Sequence, residues 1–139
     1  RLLEDIVLDA NGDVVKFGDL AQYVLDKRIP LEICLLSNLH TGAVDKLENH
    51  PFGILYKEKF RVTINTDDRL MSDTTMTKEF LTAIQYFNLN FEDFEKITIN
   101  SMKSAFIPYK ERLHYIYNVI KPGYQKMREK ILSFNNVKG

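Results

Sequence analysis

One cysteine, Cys34, stands in 139 residues, so no disulfide can form within the chain. Flanked by Leu31-Glu-Ile and Leu35-Leu36, it reads as a buried thiol inside an apolar strand, which fits a reducing compartment. Net charge is also missing: 19 Lys and Arg balance 19 Asp and Glu. That balance gives no electrostatic reason to expect nucleic acid or an anionic membrane surface as a partner. No apolar stretch reaches the roughly 18 residues of a membrane span, and the opening Arg1-Leu-Leu-Glu-Asp-Ile6 has no charged-then-apolar signal pattern. The expectation is a cytoplasmic protein with no membrane partner. Arg1 in place of a methionine further leads us to expect a piece cut from a longer protein. Repeats and low-complexity tracts are absent too, and the three histidines show no His-x-His or His-x-x-x-His spacing. His40, His50 and His114 therefore do not by themselves make a zinc site. His50, just before Pro51-Phe52, is expected to make a local backbone hydrogen bond, and His114 to lie on a helix surface.

What is present is ordinary globular material, 45% hydrophobic and 27% charged residues, enough for one domain. Asn11-Gly12 between Val7-Leu8 and Val14-Val15 predicts a short hairpin. A helix is predicted from Asp19 to about Arg28, ended by Pro30, with a strand from Leu31 to Ser37. A short helix from Pro51 to Lys57 precedes a second strand at Phe60–Asn65. In the latter, Val62 and Ile64 share one face while Arg61, Thr63, Asn65 and Asp67 share the other, a greasy side and a polar side. Two strands with one logic predict repeated βα units. Further on, Thr77 is expected to cap a helix through Phe87, and Asn90 one carrying Phe91, Phe94, Ile97 and Met102 to about Ala105. Pro108 should open another helix, which Pro122-Gly123 should kink or break before a basic tail helix from Tyr124 to Ser133. Tyr115, Tyr117 and Tyr124 near Lys121 and Lys126 could stack bases. Helical packing explains them more cheaply.

The second strand ends in Asn65-Thr-Asp-Asp68, two adjacent carboxylates. Such residues readily cap a turn through nearby backbone N–H groups. They also suit a divalent metal ligand followed by a substrate contact, and the C-terminal ends of barrel strands are where catalytic residues sit. Ser37-Asn38-Leu-His-Thr-Gly42 occupies the matching end of the first strand, where a plain turn is the competing explanation.

Ser37-Asn-Leu-His-Thr-Gly42, His50-Pro-Phe52, Val62-Thr-Ile-Asn-Thr-Asp-Asp-Arg69-Leu-Met-Ser72, Ile99-Asn-Ser101 and Ser104-Ala-Phe106 together resemble the C-terminal part of bacterial adenosine deaminases over nearly the whole chain. The resemblance implies an α/β fold, the C-terminal fragment of a (β/α)8 TIM barrel, with residues 1–139 as the end of a deaminase catalytic domain. It implies a zinc hydrolase that converts adenosine to inosine by attack of a metal-bound hydroxide at purine C6. Asp67 falls on the family's metal-binding aspartate and Asp68 on the aspartate that contacts a purine ring nitrogen. The family's zinc-binding histidines, its proton-donating glutamate and its hydroxide-orienting histidine have no counterpart here, and Arg69 replaces a common proline. The fragment alone is therefore expected to be inactive, to hold zinc weakly or not at all, and to self-associate. The alternatives are a purine-binding or interaction module without chemistry, and a deaminase of adenine or another purine.

Overall fold

The computed structural model describes residues 1–137; residues 138 and 139, the end of the expected 1–139 span, lie outside them. The chain divides into two compact units, one up to Asn90 and one from Phe91 onward. Among the described residues no helix is long and apolar enough to cross a membrane.

The first unit opens with the expected hairpin, β1 (Ile6–Leu8) antiparallel to β2 (Val14–Phe17). Asp9 Oδ1 accepts from the N–H groups of Asn11 and Asp13 at 2.8 and 3.0 Å, and Gly12 takes φ +82°. The turn thus uses the Asp9 side chain and a left-handed Gly12 while Asn11 stays out of the left-handed region, so it is not the type I′ turn for which Asn-Gly is the usual signal. Helix α1 (Asp19–Asp26) follows, and Asp5 Oδ2 accepts from the Ala21 N–H at its start, 2.7 Å away.

Strands β3 (Pro30–Ile33) and β4 (Arg61–Ile64) pair in parallel, Ile33 beside Ile64. Between them run α2 (Leu35–His40), a 3-10 turn (Leu47–Asn49) and α3 (Phe52–Lys57). The predicted βα repetition is real down to the turns. Helices α1 and α3 both end in a left-handed residue, Arg28 at φ +53° and Lys59 at +63°. In each case the next N–H reaches back five residues, Ile29 to Val24 and Phe60 to Leu55. This is the Schellman closure without its usual glycine. The Arg28 guanidinium then donates to the Lys59 carbonyl at 2.6 Å, tying one turn to the other.

Three expectations need correction here. The first strand stops at Ile33 rather than Ser37, because Leu35–His40 coil into a helix; Cys34 is half-buried at its N-cap, not inside a strand. Strand β4 has no solvated polar side: Val62, Thr63 and Ile64 are all buried, as parallel strands generally are. Thr63 keeps its hydroxyl satisfied by accepting from Asn65 Nδ2 at 2.8 Å. Helix α4 (Met76–Phe87) is capped by Thr75, whose Oγ1 accepts from the Lys78 N–H, so Thr77 lies within the first turn. Phe52, fully buried, packs against Phe87 with ring centroids 4.9 Å apart and anchors α3 to α4.

In the second unit α5 (Phe91–Ser104) buries Ile97 completely. Phe91 packs on Tyr124, whose hydroxyl lies 2.8 Å from Thr98 Oγ1, and Arg128 pairs with Glu95 at 2.9 Å. Packing therefore accounts for Tyr124, whereas Tyr115 and Tyr117 are exposed, Tyr117 beneath the Lys121 ammonium. Pro122-Gly123 does not break the helix. Helix α6 (Tyr109–Tyr115) passes through a π-helical turn (Ile116–Ile120) directly into α7 (Lys121–Val137). The Lys121 N–H bonds the Ile116 carbonyl five residues back. That wider turn shifts the hydrogen-bond register just where proline lacks a donor.

Candidate functional site

Because β3 and β4 are in register, the segments leaving their C-terminal ends start side by side, and the Asn65 N–H still bonds the Ile33 carbonyl at 2.8 Å. One segment becomes α2 and the other the 65–75 loop. Asp67 sits on that loop with φ +47°, a left-handed backbone that aspartate tolerates better than most residues. Its Oδ2 accepts from Ser37 Oγ at 2.6 Å, a short charge-assisted bond from α2. One oxygen is held and Oδ1 is left for a second partner.

Asp68 does what a turn-capping aspartate does. Its Oδ1 accepts from the N–H groups of Leu70 and Met71 at 3.0 and 3.1 Å, and its carbonyl accepts from the Ser72 N–H. The capping explanation of the Asp-Asp pair is thus correct for Asp68 Oδ1, while both carboxylates remain exposed. The loop behind them is firmly closed: the Thr74 N–H reaches the Arg69 carbonyl at 3.1 Å, and Ser72 and Thr74 are buried.

Three successive residues of α2 are gripped by three different elements. The Leu36 N–H donates to Glu79 Oε2 at 3.4 Å, Ser37 holds Asp67, and Asn38 Oδ1 lies 3.1 Å from His50 Nε2. The other imidazole nitrogen, Nδ1, accepts from the Phe52 N–H at 3.0 Å, the local backbone bond expected for His50. An N–H can only donate, so Nδ1 carries the lone pair and Nε2–H points to Asn38. The ring is neutral, and burial pushes its pKa below the ordinary 6.5. His114 is exposed, as expected, and His40 is exposed at the end of α2.

Glu79, in the first turn of α4, is completely buried. Its Oε1 accepts from Thr74 Oγ1 at 2.9 Å. The sequence does carry a trace of it: Glu79 and Ala83 fall four apart on the buried stripe of α4, a place for an apolar residue unless the carboxylate has partners inside. Beside it, the Cys34 thiol is pushed up in pKa by burial, then by the Asp67 and Glu79 charges. These effects disfavour the thiolate although Cys34 sits at a helix start.

Among the described residues no three His, Cys, Asp or Glu side chains are grouped to hold a metal. Both nitrogens of His50 are engaged, and Asp67 stands as a lone carboxylate. These residues do not by themselves fit a four-ligand zinc centre. They can supply one corner of one.

A parallel βαβ unit with polar side chains beyond the C-terminal ends of its strands is shared by barrels and doubly wound sheets, and the comparisons with known proteins narrow the choice of fold. The chain has the fold of part of a purine deaminase. Adenine deaminase from Arthrobacter aurescens superposes with a TM-score of 0.71 at 22% identity, over 77% of this chain and 32% of that one. A zinc-bound amidohydrolase from Burkholderia ambifaria does so with a TM-score of 0.70 at 13% identity, over 81% and 31%. The "Adenosine deaminase" family profile matches residues 4–122, and adenosine deaminase 1 of Streptomyces coelicolor is 49% identical over 132 residues, covering 95% of this chain and 33% of its own length. The chain belongs to the adenosine deaminase family. It spans about a third of the length of the curated relatives it matches.

Proposed function

We propose that this chain is the C-terminal part of a cytoplasmic zinc-dependent adenosine deaminase, and that Asp67 and Asp68 are its contribution to the active site. The observation that carries the reading is Asp67 itself, held in a left-handed conformation and by Ser37 so that one carboxylate oxygen faces away from its tether. Zinc, when bound, supplies an acidified water. Asp67 gives it one carboxylate ligand, the remaining ligands coming from outside this chain. Asp68, its Oδ1 fixed by two backbone N–H groups, has Oδ2 to accept a hydrogen bond from a purine ring nitrogen. The overall reaction takes adenosine and water to inosine and ammonia. Identities near 50% to proteins named adenosine deaminase favour the nucleoside over adenine.

The test is made in the full-length protein. Asp67→Ala and Asp68→Asn are each expected to cut adenosine turnover by about 100-fold or more, followed as loss of ultraviolet absorbance. Near-normal rates in both would end the assignment. Adenine turned over faster than adenosine would move it to the adenine-specific class, and a purine-binding protein with no turnover would make it a binding module.

A further inference from the structure

Glu79 has no part in the reading above, yet it is a carboxylate withdrawn completely from solvent next to the loop that bears both aspartates. A charge in such a place is costly unless its oxygens are occupied, and an apolar residue would fill the space at no such cost. Its two oxygens are divided between the two segments that build the site. Oε2 takes the Leu36 N–H of α2 at 3.4 Å, and Oε1 takes the hydroxyl of buried Thr74 at 2.9 Å. Leu36 precedes Ser37, which holds Asp67. Thr74 is bonded to Arg69, the residue after Asp68. The contacts close a ring that runs from Glu79 through Leu36, Ser37, Asp67, Asp68, Arg69 and Thr74 back to Glu79.

We infer that Glu79 is a positioning residue of the deaminase site: by bridging α2 and the 65–75 loop it fixes where Asp67 and Asp68 stand. The inference rests on the functional assignment of those two aspartates. Glutamine at this position can keep both contacts. Its carbonyl accepts from the Leu36 N–H, and its amide donates to Thr74 Oγ1 while that hydroxyl turns to the Thr75 carbonyl, 3.4 Å away. Leucine keeps the volume and loses both.

The experiment compares Glu79→Leu, Glu79→Gln and Thr74→Val in the full-length zinc-loaded protein, reading kcat and KM for adenosine and the rate of zinc loss to a chelator. Glu79→Leu is expected to lower kcat by about 10- to 100-fold and to speed zinc loss, and Thr74→Val to lower kcat by roughly 10-fold. Glu79→Gln should return kcat to within about threefold of the parent. A purely structural role would move the melting temperature and the yield of folded protein while leaving kcat per bound zinc and zinc loss unchanged. Parental kcat in Glu79→Leu, or a Gln variant as impaired as the Leu variant, overturns the inference. Should Glu79→Leu not fold, parental kcat in Thr74→Val does the same. Asp67→Ala in the same assay separates the two levels: if it stays active the functional assignment has failed, and if it is inactive while Glu79→Leu is not, only the role of Glu79 has.

Discussion

Asp67 and Asp68 are neighbours in sequence with different work to do, and the backbone decides the division. Left-handed φ at Asp67 swings its carboxylate toward Ser37, and Asp68 in the next position caps the loop. The residue types were legible as ligand or cap, because carboxylates serve both ends. Which carboxylate is tethered and which caps the loop depends on the Ser37 hydroxyl, thirty residues away. His50 shows the same limit. Its bond to the Phe52 N–H follows from local sequence, but the Asn38 contact that makes it a strut under α2 does not. The neutral ring has a consequence for stability. With its folded pKa below the unfolded 6.5, the unfolded chain binds the proton more readily, so stability is full above about pH 6.5 and is lost as the pH falls toward the folded value. Urea midpoints should drop between pH 7.5 and 5.5, and His50→Gln should flatten that slope at lower overall stability. An unchanged slope in the variant would show that other groups set it.

At the scale of elements, the long helices were readable because each repeats its apolar spacing over three or more turns. Of the short pieces, the hairpin and α3 were readable and the segment after Ile33 was not. Cys34 to Leu36 fits both a strand alternation and the start of a six-residue helix, and only the buried Glu79 opposite the Leu36 N–H, with the Ser37 and Asn38 contacts, settles it. Residue type alone puts the α4 cap at Thr77, two residues late, since Thr74, Thr75 and Thr77 are equivalent by type. Thr75 wins because its Oγ1 meets the Lys78 N–H while Thr74 is turned inward to Glu79. Thr75→Ala is therefore expected to cost about 1 kcal/mol of unfolding free energy, with Thr77→Ala nearly neutral in the same denaturation series. The reverse order would contradict the cap. Pro122 was expected to interrupt its helix; a π-helical turn absorbs the missing donor instead. A proline limits hydrogen bonding locally, and the helix has more than one register with which to comply.

For the whole chain, the governing fact is its span, about a third of the relatives it matches. A two-stranded parallel sheet has two outer edges, and parallel sheets are ordinarily built into closed or fully covered structures. Leu70 and Met71, beside the aspartates, are 88% and 80% exposed. We expect the 139-residue chain by itself to self-associate and to leave adenosine untouched. Light scattering and an absorbance assay check this, and a monomer at high concentration or measurable deamination would contradict it.

Sequence alone determined the family, the βα repetition and the two carboxylates at a strand end, because these rest on residue types and short spacings that the chain carries in order. Tertiary structure decided which oxygen is tethered, which threonine caps, that residues 35–40 are helical and that Glu79 is buried between α2 and the 65–75 loop. Each of those outcomes depends on a hydrogen bond closed by folding or on burial, and neither is written in the spacing of the residues that make it.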